Sequence, residues 1–145
     1  MTTNKKIQFS YYELSLLDFL RECHPDKATD LAFIKSRAEA ASQAYEQAFE
    51  EAEPIPACVD IAHRILYAGL HFSKHDTIRN ILSSEFSIIA SEDIREKALS
   101  LQPLLEDLFS KYELSDDFGY SQEYQSLYTE ITGFIQLKIE DDGCL

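Results

Sequence analysis

The stretch Ile34–Ala52, IKSRAEAASQAYEQAFEEA, decides the fold that this sequence predicts. Its apolar residues recur at alternating intervals of four and three, the period of one face of an α-helix. These positions are Ile34, Ala38, Ala41, Tyr45, Ala48 and Ala52. Because most of them are alanine, a neighbouring helix can approach this face closely. The stretch therefore predicts a long helix, from about Asp30 to Ala52, packed against other helices.

Apolar residues with helical spacing continue on both sides of this stretch. The other predicted helices run from Ser10 to about Cys23, from about Ala57 to Leu70, from Ser73 to Phe86, from Ser91 to Tyr112, and onward from Ser121. The sequence thus predicts an all-α fold, a single compact multi-helix bundle of five to seven helices. By its length we expect one domain spanning residues 1–145, with frayed ends at about 1–8 and 141–145.

Local signals place the ends of these helices. Ser10 and Glu13 form a capping-box pattern, in which each side chain binds the other's free backbone amide. Serine also precedes three further helices, at Ser73, Ser91 and Ser121. Pro103 lies inside the fifth predicted helix, where proline removes a backbone hydrogen bond and clashes with the preceding turn. We therefore expect that helix to be kinked or split near Pro103.

The chain is strongly acidic. Among its 145 residues are 26 acidic and 13 basic ones, a net charge of −13, and the part from Glu106 onward carries −8 of it. Proteins that bind nucleic acids nonspecifically use cations against phosphates, so this charge argues against direct nucleic-acid binding and against an anionic membrane surface. We expect the partner to be another protein, one that carries basic groups.

Three cysteines without a short spacing favour a reducing compartment over a disulfide framework. The N-terminal residues 1–13, MTTNKKIQFSYYE, lack the apolar run of a signal peptide. No apolar stretch reaches the roughly 20 residues of a membrane span. These features predict a soluble cytoplasmic protein.

One segment departs from the acidic background. Gly69–Asp76, GLHFSKHD, holds two of the four histidines and lies in a locally basic window of the chain. The helix that begins after Ser73 would direct free amides outward, and helix N-termini attract phosphate and carboxylate groups. The candidate residues of an anion or ligand site are Arg64, His71, Lys74, His75 and Arg79. The alternative interpretation is a helix junction without a ligand.

Two other functions remain open from the residues alone. A small-molecule or metal-dependent hydrolytic site could lie around His63, His71 and His75, although no further ligand stands at a metal-like spacing. An acidic stripe at Glu39, Glu46, Glu50 and Glu53 could mimic DNA and inhibit a nucleic-acid-binding protein. Because no catalytic motif or cofactor-binding pattern is present, the sequence favours a noncatalytic protein with no cofactor and no bound metal.

Three segments carry a resemblance to a known family. Ser10–Leu20 (SYYELSLLDFL), Gly69–Asp76 (GLHFSKHD) and Lys111–Phe118 (KYELSDDF) resemble, in this order, an uncharacterised family of small acidic bacterial proteins. Members of that family are often found near conjugative transposons. The resemblance spans nearly the whole chain and implies an all-helical accessory protein, linked to a mobile element. It supplies no catalytic or binding residue.

Overall fold

The computed structural model describes residues 2–143, with side chains from Ser10 onward. Six α-helices cover most of these residues, and no strand occurs among them. They are α1 (Thr2–Cys23), α2 (Leu31–Glu50), α3 (Ile55–Leu66), α4 (Lys74–Glu85), α5 (Ile94–Phe109) and α6 (Gln122–Asp142). The predicted all-α class and helix number are confirmed.

The contacts group into two compact units, one ending at Leu70 and the other beginning at His71. The single domain stays a prediction.

The first unit is built around the predicted apolar seam of α2. Ile34, Ala38 and Ala41 are buried there, and α2 packs against both α1 and α3. The other buried members of this core come from α1, from α3 and from the turn after α3: Tyr12, Leu16, Leu20, Ala62, Leu66 and Leu70. Alanine on the central helix allows both neighbours to approach, as the sequence indicated.

The second unit packs α4, α5 and α6 around a larger apolar core. The predicted stripe of α4 is buried in full, from Ile78 to Phe86. Leu101 and Leu105 of α5 and Leu127, Ile131 and Ile135 of α6 complete its centre. Pro103 lies on the exposed side of α5, which continues through it as one helix. The predicted split is therefore absent from α5, and a kink stays a prediction.

Two of the four predicted serine caps are confirmed. The Ser73 hydroxyl accepts a hydrogen bond from the Asp76 amide at 2.9 Å, and the Ser121 hydroxyl accepts one from the Tyr124 amide at 3.3 Å. Ser10 lies within α1, which begins at Thr2, so the predicted capping box is wrong. Ser91 lies in a 3₁₀ turn, Ser91–Asp93, and α5 begins only at Ile94.

The predicted ends of α2 and α3 are also corrected. α2 ends at Glu50, and Ala52 adopts a left-handed conformation with φ of +63° rather than joining the seam. α3 ends at Leu66 instead of Leu70, and the guanidinium of Arg37 binds the carbonyl oxygens of Ile65 and Leu66 at this end. A side chain from another helix thus caps an end that the sequence pattern places one turn later.

Candidate functional site

The segment Gly69–Asp76 crosses from the first unit into the second. Gly69 has a left-handed φ of +78°, and Ser73 caps α4. Arg64, the first of the predicted anion-site residues, lies exposed on α3 in the first unit. The remaining four candidates belong to the second unit, where His71 precedes α4 and Lys74, His75 and Arg79 lie on it.

Acidic partners already engage the cations at this end of α4. Lys74 Nζ lies 2.7 Å from Glu106 Oε2, and Arg79 Nη1 lies 3.5 Å from Asp76 Oδ1. The His75 side chain is buried, with 1% of its surface exposed. Asp76 also places a carboxylate at the helix end that an anion would occupy. Anion binding at these residues stays a prediction, and the local charges oppose it.

A surface groove of about 280 Å³ opens beside the same segment. We call it the Tyr120 groove. It is lined by the residues before α4, by the first turns of α4 and by the loop and helix start from residue 116 to 124: His71, Phe72, Ser73, Asp76, Thr77, Asn80, Asp116, Gly119, Tyr120 and Tyr124. A hydrogen bond from the His71 amide to Asp116 Oδ1, 3.1 Å long, joins the two sides.

The groove offers carboxylates rather than cations. Asp76 and Asp116 line it, and no lysine or arginine does so among the residues with described side chains. It lies in the more acidic unit, where residues 71–145 include 15 acidic and six basic residues, a net charge of −9. A ligand that enters this groove therefore meets a negative potential.

Aromatic rings form the apolar part of the groove. The Phe72 ring packs edge-on against Phe118, with ring centroids 5.0 Å apart, and against Tyr124 at 6.3 Å. Phe118 is buried and fixes this arrangement, while Phe72 and Tyr124 are half-buried. Tyr120 projects into solvent with 93% of its surface exposed. An exposed ring beside carboxylates provides a surface suited to organic cations.

The three histidines of the hydrolytic hypothesis occur in different surroundings. His63 of the first unit is half-buried between Tyr12 and Tyr67, with ring centroids 6.4 and 5.9 Å away. His71 is exposed at the groove, and His75 is buried. Among the described residues, no three His, Cys, Asp or Glu side chains are grouped so as to hold a metal ion. His63 thus forms aromatic contacts in the first unit's core.

Sequence reasoning identified one side of the groove and missed the other. His71 belongs to the predicted anion site and Asp76 ends the segment that holds it, whereas Tyr120 and Tyr124 belong to no predicted site. The available signal was the interleaving of acids and aromatic rings in residues 112–124, YELSDDFGYSQEY. A strongly acidic loop normally suggests a solvated surface, and the sequence alone does not indicate that Tyr120 is exposed within it.

Comparison with known proteins identifies the family. Residues 3–144 match the model of a family described as Domain of unknown function (DUF1896). The chain belongs to this family. It is also similar to a solved structure, the crystal structure of protein PG0816 from Porphyromonas gingivalis, at 36% sequence identity and a TM-score of 0.91. That match covers 97% of this chain and 96% of the other. No curated protein matches the chain.

The family match and the helical structure confirm the family predicted from the three motif segments. Two of those segments meet in the second unit, where His71 binds Asp116 and Phe72 packs against Phe118. In the described part of the chain, no helix is long and apolar enough to span a membrane. A link to conjugative transposons stays a prediction.

Proposed function

We propose that this protein is a noncatalytic binding module whose second unit captures a basic segment of another protein in the Tyr120 groove. The observation that carries the proposal is the pairing of an almost fully exposed aromatic ring, Tyr120, with two carboxylates, Asp76 and Asp116, in one groove. Aromatic residues are enriched where proteins bind partners, and carboxylates select partners of positive charge.

The open shape of the groove supports a protein segment over a metabolite. The groove, with a volume of about 280 Å³, is open along the surface between residues 71–80 and 116–124 rather than closed around a ligand. Such a site accommodates one or two side chains of a longer segment, whose remaining charges the acidic unit attracts.

We also propose that the protein acts in the cytoplasm as an accessory protein of a mobile element. This is supported by the resemblance of the three sequence segments to a family often found near conjugative transposons. An accessory protein of such an element would meet basic partners, because proteins that handle DNA carry basic segments.

Nuclear magnetic resonance titration tests the proposed binding. The isotope-labelled protein is titrated with short peptides rich in lysine and arginine, and separately with acidic peptides of the same length. We expect the basic peptides to shift the amide signals of residues 71–80 and 116–124, and the acidic peptides to leave them unchanged. Increasing salt should weaken the binding, since charge attraction drives it.

Charge-removing variants locate the interaction. Replacing Asp76→Asn together with Asp116→Asn keeps the side-chain shapes and should weaken binding. The control variant, Glu92→Gln with Glu96→Gln, removes the same charge from exposed positions of the same unit. Equal weakening by both variants would show that total charge, not the groove, binds the peptide. If only Glu39→Gln with Glu50→Gln weakened binding, the acidic stripe of the first unit would be the site and the groove proposal would be wrong.

A further inference from the structure

We infer that the Tyr120 groove selects an arginine side chain over a lysine side chain. The inference rests on the proposed function, because it specifies which basic group the groove receives. It follows from the joint presence of Tyr120, Asp116 and Asp76 around one opening.

The exposed ring of Tyr120 is the first element of this selectivity. With 93% of its surface in solvent, the ring leaves a face open for stacking. A guanidinium is planar and weakly hydrated, so it stacks on an aromatic face at low desolvation cost. The ammonium of lysine is compact and strongly hydrated, so it keeps its water and gains less from the same face.

The carboxylates are the second element. The His71 amide donates to Asp116 Oδ1 and thereby orients this carboxylate on the loop side of the groove. Carboxylates bind guanidinium through two parallel hydrogen bonds, whereas an ammonium presents a single charge. Asp76 lies 3.5 Å from the guanidinium of Arg79, so an entering guanidinium would share this carboxylate with Arg79 on the α4 side of the groove.

The half-buried rings of Phe72 and Tyr124 are the third element, since both line the groove. The aliphatic stem of an entering arginine can pack against these rings, as the stems of long charged side chains do on apolar surface.

Three matched peptides test the inference. They share one basic sequence and differ at a single central position, which holds arginine, lysine or citrulline, the uncharged analogue of arginine. We expect the arginine peptide to bind about three- to fivefold more tightly than the lysine peptide, as a cation stacked on an exposed ring implies. The citrulline peptide should bind more weakly than the arginine peptide, because it cannot form the ion pair.

Variants of Tyr120 provide the decisive comparison. Tyr120→Phe keeps the ring and should keep the full preference for arginine, while Tyr120→Leu should reduce it to the part that the carboxylates supply. Circular dichroism and urea unfolding of both variants would verify the fold. Equal binding of the arginine and lysine peptides at residues 71–80 and 116–124 would overturn the inference and leave the proposed function standing. If none of the charged peptides shifted these residues, both would be wrong.

Discussion

Arg37 Nη1 donates a hydrogen bond to the carbonyl oxygen of Ala68 at 2.7 Å, and so joins α2 to the turn that follows α3. The same nitrogen lies 3.2 and 3.3 Å from the carbonyl oxygens of Ile65 and Leu66. The last carbonyl groups of a helix have no partner within it, and a cation there also interacts favourably with the helix dipole. Arg37 therefore caps the C-terminal end of α3, although the two lie about 30 residues apart in the sequence.

Replacing Arg37→Met should destabilise the protein by about 2 kcal/mol, the scale of hydrogen bonds from a charged group. Arg37→Lys should cost less, because a single ammonium can still reach one of the carbonyl groups. Urea unfolding measures both changes. Arg64→Met, at an exposed position of α3, is the control and should stay within about 0.5 kcal/mol of the parent. Similar losses from Arg37→Met and Arg64→Met would contradict this role of Arg37.

The two serines before α4 and α5 provide a second test. Ser73→Ala removes the acceptor of the Asp76 amide and should cost about 1 kcal/mol. Ser91→Ala should change stability by less than about 0.5 kcal/mol, because Ser91 lies in a 3₁₀ turn and caps no α-helix. Both replacements remove one hydroxyl, but only the Ser73 hydroxyl caps an α-helix, so Ser73→Ala should lower the urea midpoint more. Equal effects would show that the Ser73 cap contributes nothing measurable.

Local chemistry explains why much of the fold was predictable. The predicted start of α2 near Asp30 is confirmed, since the Asp30 carboxylate accepts the Phe33 amide at 3.1 Å, and the caps at Ser73 and Ser121 form as expected. These interactions lie within three residues of each other along the chain. The cap predicted at Ser10 is wrong because α1 begins at Thr2 and continues through Ser10.

Long-range contacts explain what the sequence could not reveal. Arg37 caps the end of α3 from another helix, and a hydrogen bond between His71 and Asp116, 45 residues apart, joins the two sides of the Tyr120 groove. No local pattern links such positions. The sequence therefore predicted a site that includes His71, yet it could not indicate that Asp116 and Tyr120 would lie beside His71 and change the expected charge of the ligand.

Tyr112 and Glu130 form a pair that makes stability depend on pH. The Tyr112 hydroxyl donates to Glu130 Oε1 at 2.5 Å, and Lys111 Nζ lies 3.2 Å from Glu130 Oε2. The hydrogen bond from Tyr112, followed by that from Lys111, lowers the pKa of Glu130 below its ordinary value. The same bond to Glu130, followed by desolvation, raises the pKa of Tyr112.

Because folding lowers the pKa of Glu130, this carboxylate stabilises the fold at pH values above the ordinary carboxyl pKa. The contribution is lost as pH falls through the folded-state pKa. Because folding raises the pKa of Tyr112, the protonated hydroxyl stabilises the fold at pH values below the ordinary tyrosine pKa. The contribution is lost as pH rises through the folded-state pKa. Tyr112→Phe should therefore lower the melting temperature most near neutral pH and least at both extremes. Tyr120→Phe, an exposed change in the same unit, is the control. A constant difference across the pH series would contradict this linkage.

The end of α2 has the geometry that usually requires glycine. The Glu53 amide donates to the carbonyl oxygen of Ala48, and the Ala52 amide donates to that of Phe49, both at 3.1 Å. These two bonds define a Schellman motif, whose left-handed position is occupied here by Ala52 with φ of +63°. Glycine takes this conformation without the steric cost that a Cβ atom imposes.

Ala52→Gly should therefore stabilise the protein by about 0.5–1 kcal/mol, because the relief of the left-handed backbone exceeds the entropy lost by glycine. Gly69→Ala is the reciprocal change in the same unit. Gly69 has φ of +78°, and a Cβ atom there would meet nothing within 4 Å, so its expected loss of about 1 kcal/mol comes from the backbone alone. Urea unfolding should thus move the two midpoints in opposite directions. Destabilisation by Ala52→Gly would mean that the Ala52 side chain contributes more to the fold than its backbone conformation costs.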